Sequence, residues 1–148
     1  GLAVRFEERN VRATGRSAQG VRGINLKDND EVIGMIVVSD DKTLLTVTEN
    51  GYGKRTPVAE YRLIKRGGSG VINIQCSERN GNVVAVCPVT DNDDVMFISK
   101  NGIIIRVPAT DISLIGRNTQ GVRIMKLEAG DKVVSAVKVA RENDGGSR

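Results

Sequence analysis

The chain has 148 residues, a formal net charge of +4 and a pI near 9.3, and it contains no histidine. The length suits one ordinary domain or a few small repeated units, and no apolar run approaches the ~20 residues of a membrane span. Without histidine, the commonest general base and metal ligand is missing. With 39% hydrophobic but only 3% aromatic residues, the core must be built from Val, Ile and Leu, which favour strands.

Three stretches of the chain repeat, beginning at Gly1, Gly51 and Gly102. The first shared feature is an arginine four residues after the starting glycine: Arg5, Arg55 and Arg106. The second is an arginine fifteen residues after it: Arg16, Arg66 and Arg117. The third is a Gly-Val pair: Gly20-Val21, Gly70-Val71 and Gly121-Val122. The regular spacing of the three starting glycines marks a repeat architecture. The stretch "KRGGSGV" is therefore one copy of a repeated loop and not a linker.

Short β-branched runs fill the rest of each repeat. In chain order, the predicted strands are "EVIGMIVV" (31–38), "KTLLTVTENG" (42–51), "NVVAVCPV" (82–89), "DVMFISKNG" (94–102) and "KVVSAVKV" (132–139). Asn-Gly pairs at positions 50–51, 80–81 and 101–102 predict hairpins, because both residues tolerate positive φ. The fold class is therefore an all-β bladed repeat array, a β-pinwheel or propeller-like fold of about three blades with four strands each.

The repeats divide the chain at 1–41, 42–92 and 93–140, and residues 141–148 form a polar tail that we expect to be disordered. Repeat 1 starts at its glycine without the strand that precedes repeats 2 and 3. We therefore expect a piece of a longer array, whose open strand edges invite self-association.

Positive charge is concentrated in equivalent parts of the repeats. Residues 1–24, 52–70 and 103–123 carry net charges of +3, +4 and +2, whereas the remainder sums to −5. Equivalent positions of an array lie on one side, so these segments predict a basic rim suited to duplex DNA. Arginine binds phosphate bidentately, and glycine lets the backbone approach it. The scarcity of aromatic residues argues against stacking of single-stranded bases.

The predicted DNA-binding residues are Arg16, Arg66, Arg117, Arg12, Arg22, Lys54, Arg62, Lys65, Arg123, Gly67, Gly68 and Gly70. For a further set, the sequence leaves open whether the side chains contact phosphate or hold neighbouring blades together: Arg5, Arg55 and Arg106.

No catalytic or metal-binding motif is present. The acidic run "DNDD" (91–94) lacks the spaced ligands of a calcium loop, and we interpret it as a solvated turn. Cys76 and Cys87 have neither metal spacing nor a disulfide framework, which favours a reducing, cytoplasmic setting. We expect no catalytic residue, metal or cofactor in this chain.

Several long segments resemble a known family in that family's order: "VRATGRSAQGVRGI", "NGYGKRTPVAEYR", "SERNGNVV" and "DISLIGRNTQGVRIM". The resemblance is to the C-terminal domain of DNA gyrase A, and it covers residues 1 to about 139. It implies a β-pinwheel with strands exchanged between blades, of which this chain would be the last three. It also implies wrapping of duplex DNA on a basic rim, which directs strand passage toward negative supercoiling.

By the same resemblance, the parent is an ATP-dependent type II topoisomerase (an isomerase) in the bacterial cytoplasm, associated with the nucleoid. Its catalytic residues belong to the rest of the gyrase A polypeptide, while ATP and magnesium are used by other domains and gyrase B is a partner. The family's wrapping motif, roughly Gln-Arg-Arg-Gly-Gly-Lys-Gly, is matched best by "IKRGGSG" at 64–70, where Ile64 and Ser69 depart from it.

Two alternatives remain open. The array could be a structural or protein-interaction module without DNA wrapping, or it could be the equivalent domain of topoisomerase IV.

Overall fold

A computed structural model describes residues 1–11, 16–17 and 19–140 of the chain. Its strands are β1 Leu2–Ala3, β2 Thr43–Thr48, β3 Tyr52–Pro57, β4 Val71–Ile72, β5 Val83–Val89, β6 Asp93–Ser99, β7 Ile104–Pro108, β8 Val122–Arg123 and β9 Val133–Ala140. Its helical segments are single 3₁₀ turns at Glu8–Asn10, Val58–Glu60 and Ala109–Asp111. The described residues are thus all-β, as predicted.

The strands form three antiparallel sheets, one for each repeat. The middle sheet has the order β5-β2-β3-β8, the third has β7-β6-β9, and the first consists of β1-β4. The Asn-Gly pairs at 50–51 and 101–102 join β2 to β3 and β6 to β7, with φ of 88° at both glycines. These two predicted hairpins are confirmed, because glycine supplies the positive φ that the tight turn requires.

Repeats 2 and 3 each give a short strand to the sheet of the repeat before them. β8 of repeat 3 pairs with β3 of repeat 2, and β4 of repeat 2 pairs with β1 of repeat 1. The glycines before these strands explain the Gly-Val signature. A Cβ on Gly70 would lie 2.5 Å from the Ala3 carbonyl oxygen, and a Cβ on Gly121 would lie 2.8 Å from that of Gly53. Strand exchange between neighbouring repeats is therefore built into the sequence.

Three details differ from the sequence predictions. Residues 31–38 form no strand. Their equivalents β5 and β9 pair with β2 and β6, and no described strand of repeat 1 takes the place of β2 or β6. Asn80-Gly81 is not a hairpin: β4 and β5, which flank it, lie in different sheets. Among the described residues only the middle sheet has four strands, because its fourth comes from the following repeat.

The main core lies between the middle and third sheets. It contains Leu45, Val47, Val95 and Phe97, each at most 1% exposed, and β5 packs against β9 beside it. A smaller cluster of Leu44, Val58 and Tyr61 lies toward repeat 1. No helix within the described ranges is long and apolar enough to cross a membrane.

Candidate nucleic-acid interface

The first arginines of repeats 1 and 2, Arg5 and Arg55, join neighbouring blades. Arg5 donates to the Tyr61 carbonyl at 3.0 Å, and Arg55 donates from Nε to the equivalent carbonyl of Ile112 at 2.9 Å. Each also pairs with a carboxylate in the turn that leads to the next repeat, Asp40 for Arg5 and Asp91 for Arg55. These contacts give the two arginines a structural role, and their contact with phosphate stays a prediction.

Arg106 occupies the same position in repeat 3 but has different neighbours. Its Nε donates to Asp94 of its own hairpin at 2.8 Å, and 47% of its side chain is exposed, against 7% for Arg55. The turn "DNDD", which we interpreted as solvated, thus supplies one carboxylate to Arg55 and another to Arg106.

The second arginines of repeats 2 and 3, Arg66 and Arg117, reach back to the preceding blade. Arg66 donates to the Asn10 and Arg22 carbonyls, both at 3.1 Å. Arg117 donates to the equivalent carbonyls, those of Glu60 at 3.0 Å and Ile72 at 2.7 Å. These bonds hold the two loops at equivalent positions on the preceding repeat. Contact of Arg66 and Arg117 with phosphate stays a prediction. Both side chains already donate to backbone carbonyls of the protein.

The glycine-rich loop of repeat 2 lies against repeat 1. The Gly67 backbone N–H donates to the Gly23 carbonyl at 2.6 Å, and the Gly68 carbonyl accepts from the Asn25 backbone N–H at 2.9 Å. Positive φ at Gly67 and Gly70 shapes the loop. The prediction that these glycines approach DNA is untested, but the amide of Gly67 already has a protein acceptor.

Lys54 does not lie on the surface, so its predicted contact with DNA is wrong. The residue is 0% exposed. Its Nζ donates to the carbonyls of Gly116 and Arg117 at 2.7 and 2.6 Å and to Thr119 Oγ1 at 3.0 Å. Burial lowers the pKa of Lys54 to about 8. The side chain ties repeat 2 to the loop of repeat 3.

Other predicted cations do face solvent: Arg16, Arg22, Arg62, Lys65 and Arg123. Arg62 and Lys65 flank the loop that Arg66 holds. Arg22 and Arg123 occupy equivalent positions beside the Gly-Val pairs of repeats 1 and 3. Arg123 lies on β8, which pairs with β3, whereas the segment of Arg62 and Lys65 bridges through Leu63 to Arg5 of repeat 1. Arg12 lies outside the described residues.

Two arginines surround Tyr52, of which Arg123 was predicted as a site residue from the sequence and Arg79 was not. Arg79 and Arg123 each lie 5.3 Å from the centre of its ring, and each donates to its hydroxyl at 3.0 Å. The hydrogen bond from Arg79, followed in size by the one from Arg123, lowers the pKa of the Tyr52 hydroxyl. Arg79 follows no repeat pattern, so the only available signal was its charge in the turn "SERNGN".

The described residues contain no cluster of three or more cysteines, aspartates and glutamates arranged to hold a metal ion. The repeated unit of this structure is a short sheet that the next repeat completes, with arginines on the connecting segments. This arrangement defines the class, a propeller-like β-domain of strand-exchanging blades.

Comparison with known proteins gives the family. The model of the "DNA gyrase C-terminal domain, beta-propeller" matches residues 1–39, 42–89 and 93–140, and the chain belongs to this family. The DNA gyrase A protein of Staphylococcus epidermidis is 48% identical over 143 residues, and that of Haloquadratum walsbyi is 48% identical over 146. The alignments cover 95% and 97% of this chain but 16% and 17% of those proteins.

Solved structures agree with this assignment. A DNA gyrase A C-terminal domain superimposes with a TM-score of 0.86 at 34% identity, covering 93% of this chain and 47% of that one. The C-terminal domain of a DNA topoisomerase IV gives 0.86 at 25% identity, covering 95% and 44%. The resemblance found in the sequence is therefore confirmed for family and fold.

Proposed function

We propose that this chain binds and bends or wraps duplex DNA without sequence preference, as part of a DNA gyrase A protein. One observation carries the proposal. On consecutive repeats, exposed cations sit on segments that buried or backbone-bonded arginines hold in place. Positioned cations on a repeated frame suit the regular charge spacing of a duplex.

The state of the aromatic residues supports duplex over single-stranded DNA. Tyr52 and Tyr61 are each 4% exposed and Phe97 is 0% exposed. Single-strand binding surfaces present aromatic rings on which bases stack. Here these three rings lie inside the protein and are not available for stacking on bases. The groups left to contact DNA are therefore the exposed cations, which bind phosphate.

Within the assembly, the wrapped segment is presented to the strand-passage gate, which gives the reaction its negative direction. The remaining part of the gyrase A polypeptide supplies the catalytic residues, while gyrase B and other domains supply ATP and magnesium chemistry. The complex acts in the cytoplasm, at the nucleoid. The same exposed cations would serve the equivalent domain of topoisomerase IV.

The test compares two exposed lysines in different parts of the fold. Lys65→Gln removes one charge from the loop segment, whereas Lys138→Gln removes one from β9, which lies in a different sheet from β3 and β8. The equilibrium constant for binding a random-sequence duplex is measured across a salt series. We expect the log–log slope to become shallower by about 0.9 for Lys65→Gln and to stay unchanged for Lys138→Gln.

The double variant Arg62→Gln/Lys65→Gln extends the series, with an expected change of about 1.8. Equal slopes for the two lysine variants would place the DNA elsewhere. Weak, salt-insensitive binding by the wild type would favour a protein-interaction module instead.

A further inference from the structure

Two arginines of different repeats converge on the hydroxyl of Tyr52. Arg123 of repeat 3 is the cross-strand partner of Tyr52, because β8 pairs with β3. Arg79 comes from the turn between β4 and β5 of repeat 2. Each guanidinium group donates to the hydroxyl at 3.0 Å, Arg79 through Nε and Arg123 through Nη2. The two donor nitrogens therefore lie within roughly 6 Å of each other, a separation at which like charges repel.

No carboxylate pairs with either guanidinium group within residues 1–11, 16–17 and 19–140. The ion pairs of these residues use other cations: Arg5, Arg9, Arg55, Arg106 and Lys132. Each guanidinium group has several N–H donors beyond the one that the hydroxyl accepts, and a hydroxyl that accepts twice still has its own hydrogen to donate. The ligand that suits this group of donors is an anion whose surface offers acceptors.

The turn that carries Arg79 is fixed by hydrogen bonds to both repeats. The Asn80 side chain is 0% exposed and donates to the Gln75 carbonyl at 2.7 Å and to the Gln120 carbonyl of repeat 3 at 3.0 Å. The Asn50 side chain donates to the Arg79 carbonyl at 3.2 Å. The two arginines are therefore brought together by folding, which lowers the entropic cost of binding a ligand between them.

The junction of repeats 1 and 2 shows that the fold does not require this arrangement. There the equivalent cross-strand pair is Leu2 with Ile72, and both side chains are apolar. The turn that corresponds to residues 77–82 is "KDNDE" (27–31), which is one residue shorter and contains no arginine. The charged group around Tyr52 is therefore an addition to the repeated frame, which indicates a ligand.

We propose that Arg79 and Arg123 bind one phosphate group across the junction of repeats 2 and 3, with Tyr52 as the positioning residue that aligns them. Phosphate offers acceptor oxygens only, and the planar guanidinium group binds it through paired donors. The source of the phosphate rests on the proposed function: it is the backbone of the bound duplex. Arg79 lies outside the basic segments predicted from the sequence, so it extends the path of the DNA toward the turn of repeat 2.

Binding of phosphate alone is measured on the 148-residue chain by NMR of the arginine Nε–H groups. Inorganic phosphate is added at neutral pH and constant ionic strength. The Arg79 resonance should shift saturably, whereas that of Arg55, which donates to the Ile112 carbonyl, is the internal control and should not move. Phosphate binding should weaken by about tenfold or more in Arg123→Gln and by about three- to tenfold in Tyr52→Phe.

The source of the phosphate is tested by duplex binding across a salt series. Arg79→Gln should make the log–log slope shallower by about 0.9. Lys132→Gln is the matched control, because this cation lies beside the same turn but already pairs with Glu49 at 3.5 Å and donates to Asn50 at 2.6 Å. Tyr52→Phe removes alignment and no charge, so it should weaken binding at every salt concentration and leave the slope unchanged.

The outcomes separate this site from the proposed function. An Arg79 resonance that does not saturate, or an equal shift at Arg55, would overturn the phosphate site. A saturable shift with equal slopes for Arg79→Gln and Lys132→Gln would overturn the duplex as the source and assign the site to a free phosphate group, while the slope of Lys65→Gln still supports DNA binding. A wild type that binds no duplex would refute the proposed function, and the NMR titration would then decide the phosphate site by itself.

Discussion

The molecule has two junctions between repeats, one joining repeats 1 and 2 and one joining repeats 2 and 3. Both use the same pattern of arginine bonds and a donated strand, but they enclose different side chains. In both, an arginine of the earlier repeat reaches forward, an arginine of the later repeat reaches back, and a Gly-Val strand crosses over. At the first junction Val4 holds the position that Lys54 holds at the second. The second junction also has the Asn80 side chain, which donates to the Gln120 carbonyl at 3.0 Å.

The difference teaches why so few residues repeat in the sequence. The acceptors of Arg66 and Arg117 are backbone carbonyls, so the accepting residues can differ: Asn10 against Glu60, and Arg22 against Ile72. Only the donors and the close-packed glycines must be kept. The interior of each junction is then free to vary, and the second has acquired a buried cation where the first has an aliphatic side chain.

The largest effect should come from the buried lysine. Lys54→Met keeps the aliphatic stem but leaves two carbonyls without their charged donor, which should lower the free energy of unfolding by about 2–4 kcal/mol. Urea denaturation with the midpoint and m-value measured together provides the check. Lys65→Met is the control, since an exposed lysine should change stability by less than about 0.5 kcal/mol. Equal stability of the two variants would mean that water replaces Lys54 without cost.

The forward-reaching arginines should give a graded, intermediate effect. Their side chains are 7%, 22% and 47% exposed for Arg55, Arg5 and Arg106. Replacement by Met should cost about 1.5–3 kcal/mol at Arg55, about 1–2 at Arg5 and less than about 1 at Arg106. The order is the informative result. A loss at Arg106 as large as that at Arg55 would contradict the assignment of the bonds between blades as the source of stability.

A smaller effect separates the two cysteines. Cys76 is exposed, whereas burial raises the pKa of Cys87 to about 11. At pH 8 Cys87 should alkylate about a hundredfold more slowly than an ordinary thiol, because the thiolate reacts. Mass spectrometry of an iodoacetamide time course would follow both sites. Comparable rates at the two cysteines would show that β5 opens readily.

The same thiol predicts the direction of a pH effect on stability. Its ordinary pKa is 9.0, so the unfolded chain loses this proton first as the pH rises. The contribution of Cys87 is complete below pH 9 and is lost as the pH rises through 11. Denaturation of wild type and Cys87→Val over this range should give a shallower decline for the variant. Parallel curves would contradict the raised pKa.

Much of the fold could be predicted from particular residues. The Asn-Gly pairs marked two hairpins correctly, and the β-branched runs marked β2, β5, β6 and β9. Residues 31–38 have the same composition but form no strand, because pairing depends on a partner as well as on local preference. Asn80-Gly81 was wrongly predicted as a hairpin, because the Asn80 side chain donates instead to the Gln75 carbonyl of its own repeat and to the Gln120 carbonyl of repeat 3.

The site was harder to predict, because charge alone does not distinguish a surface cation from a buried one. Lys54 and Lys65 lie in the same basic segment, yet one is enclosed and the other faces solvent. Strand alternation gave no signal for Lys54, since both sides of β3 are covered. Only the path of the next repeat's loop over Lys54 decides its burial, and that path depends on contacts 62 to 65 residues away in sequence.

The donated strand has a consequence for synthesis on the ribosome. The sheet that contains Gly53 is complete only when Val122 pairs with it. About 70 further residues must therefore be translated after Gly53 before this pairing can form. At roughly 5–20 residues per second, that is about 4–14 seconds. During this interval the edge of β3 that later pairs with β8 is unpaired. Folding of the array during synthesis therefore lags translation by about one repeat.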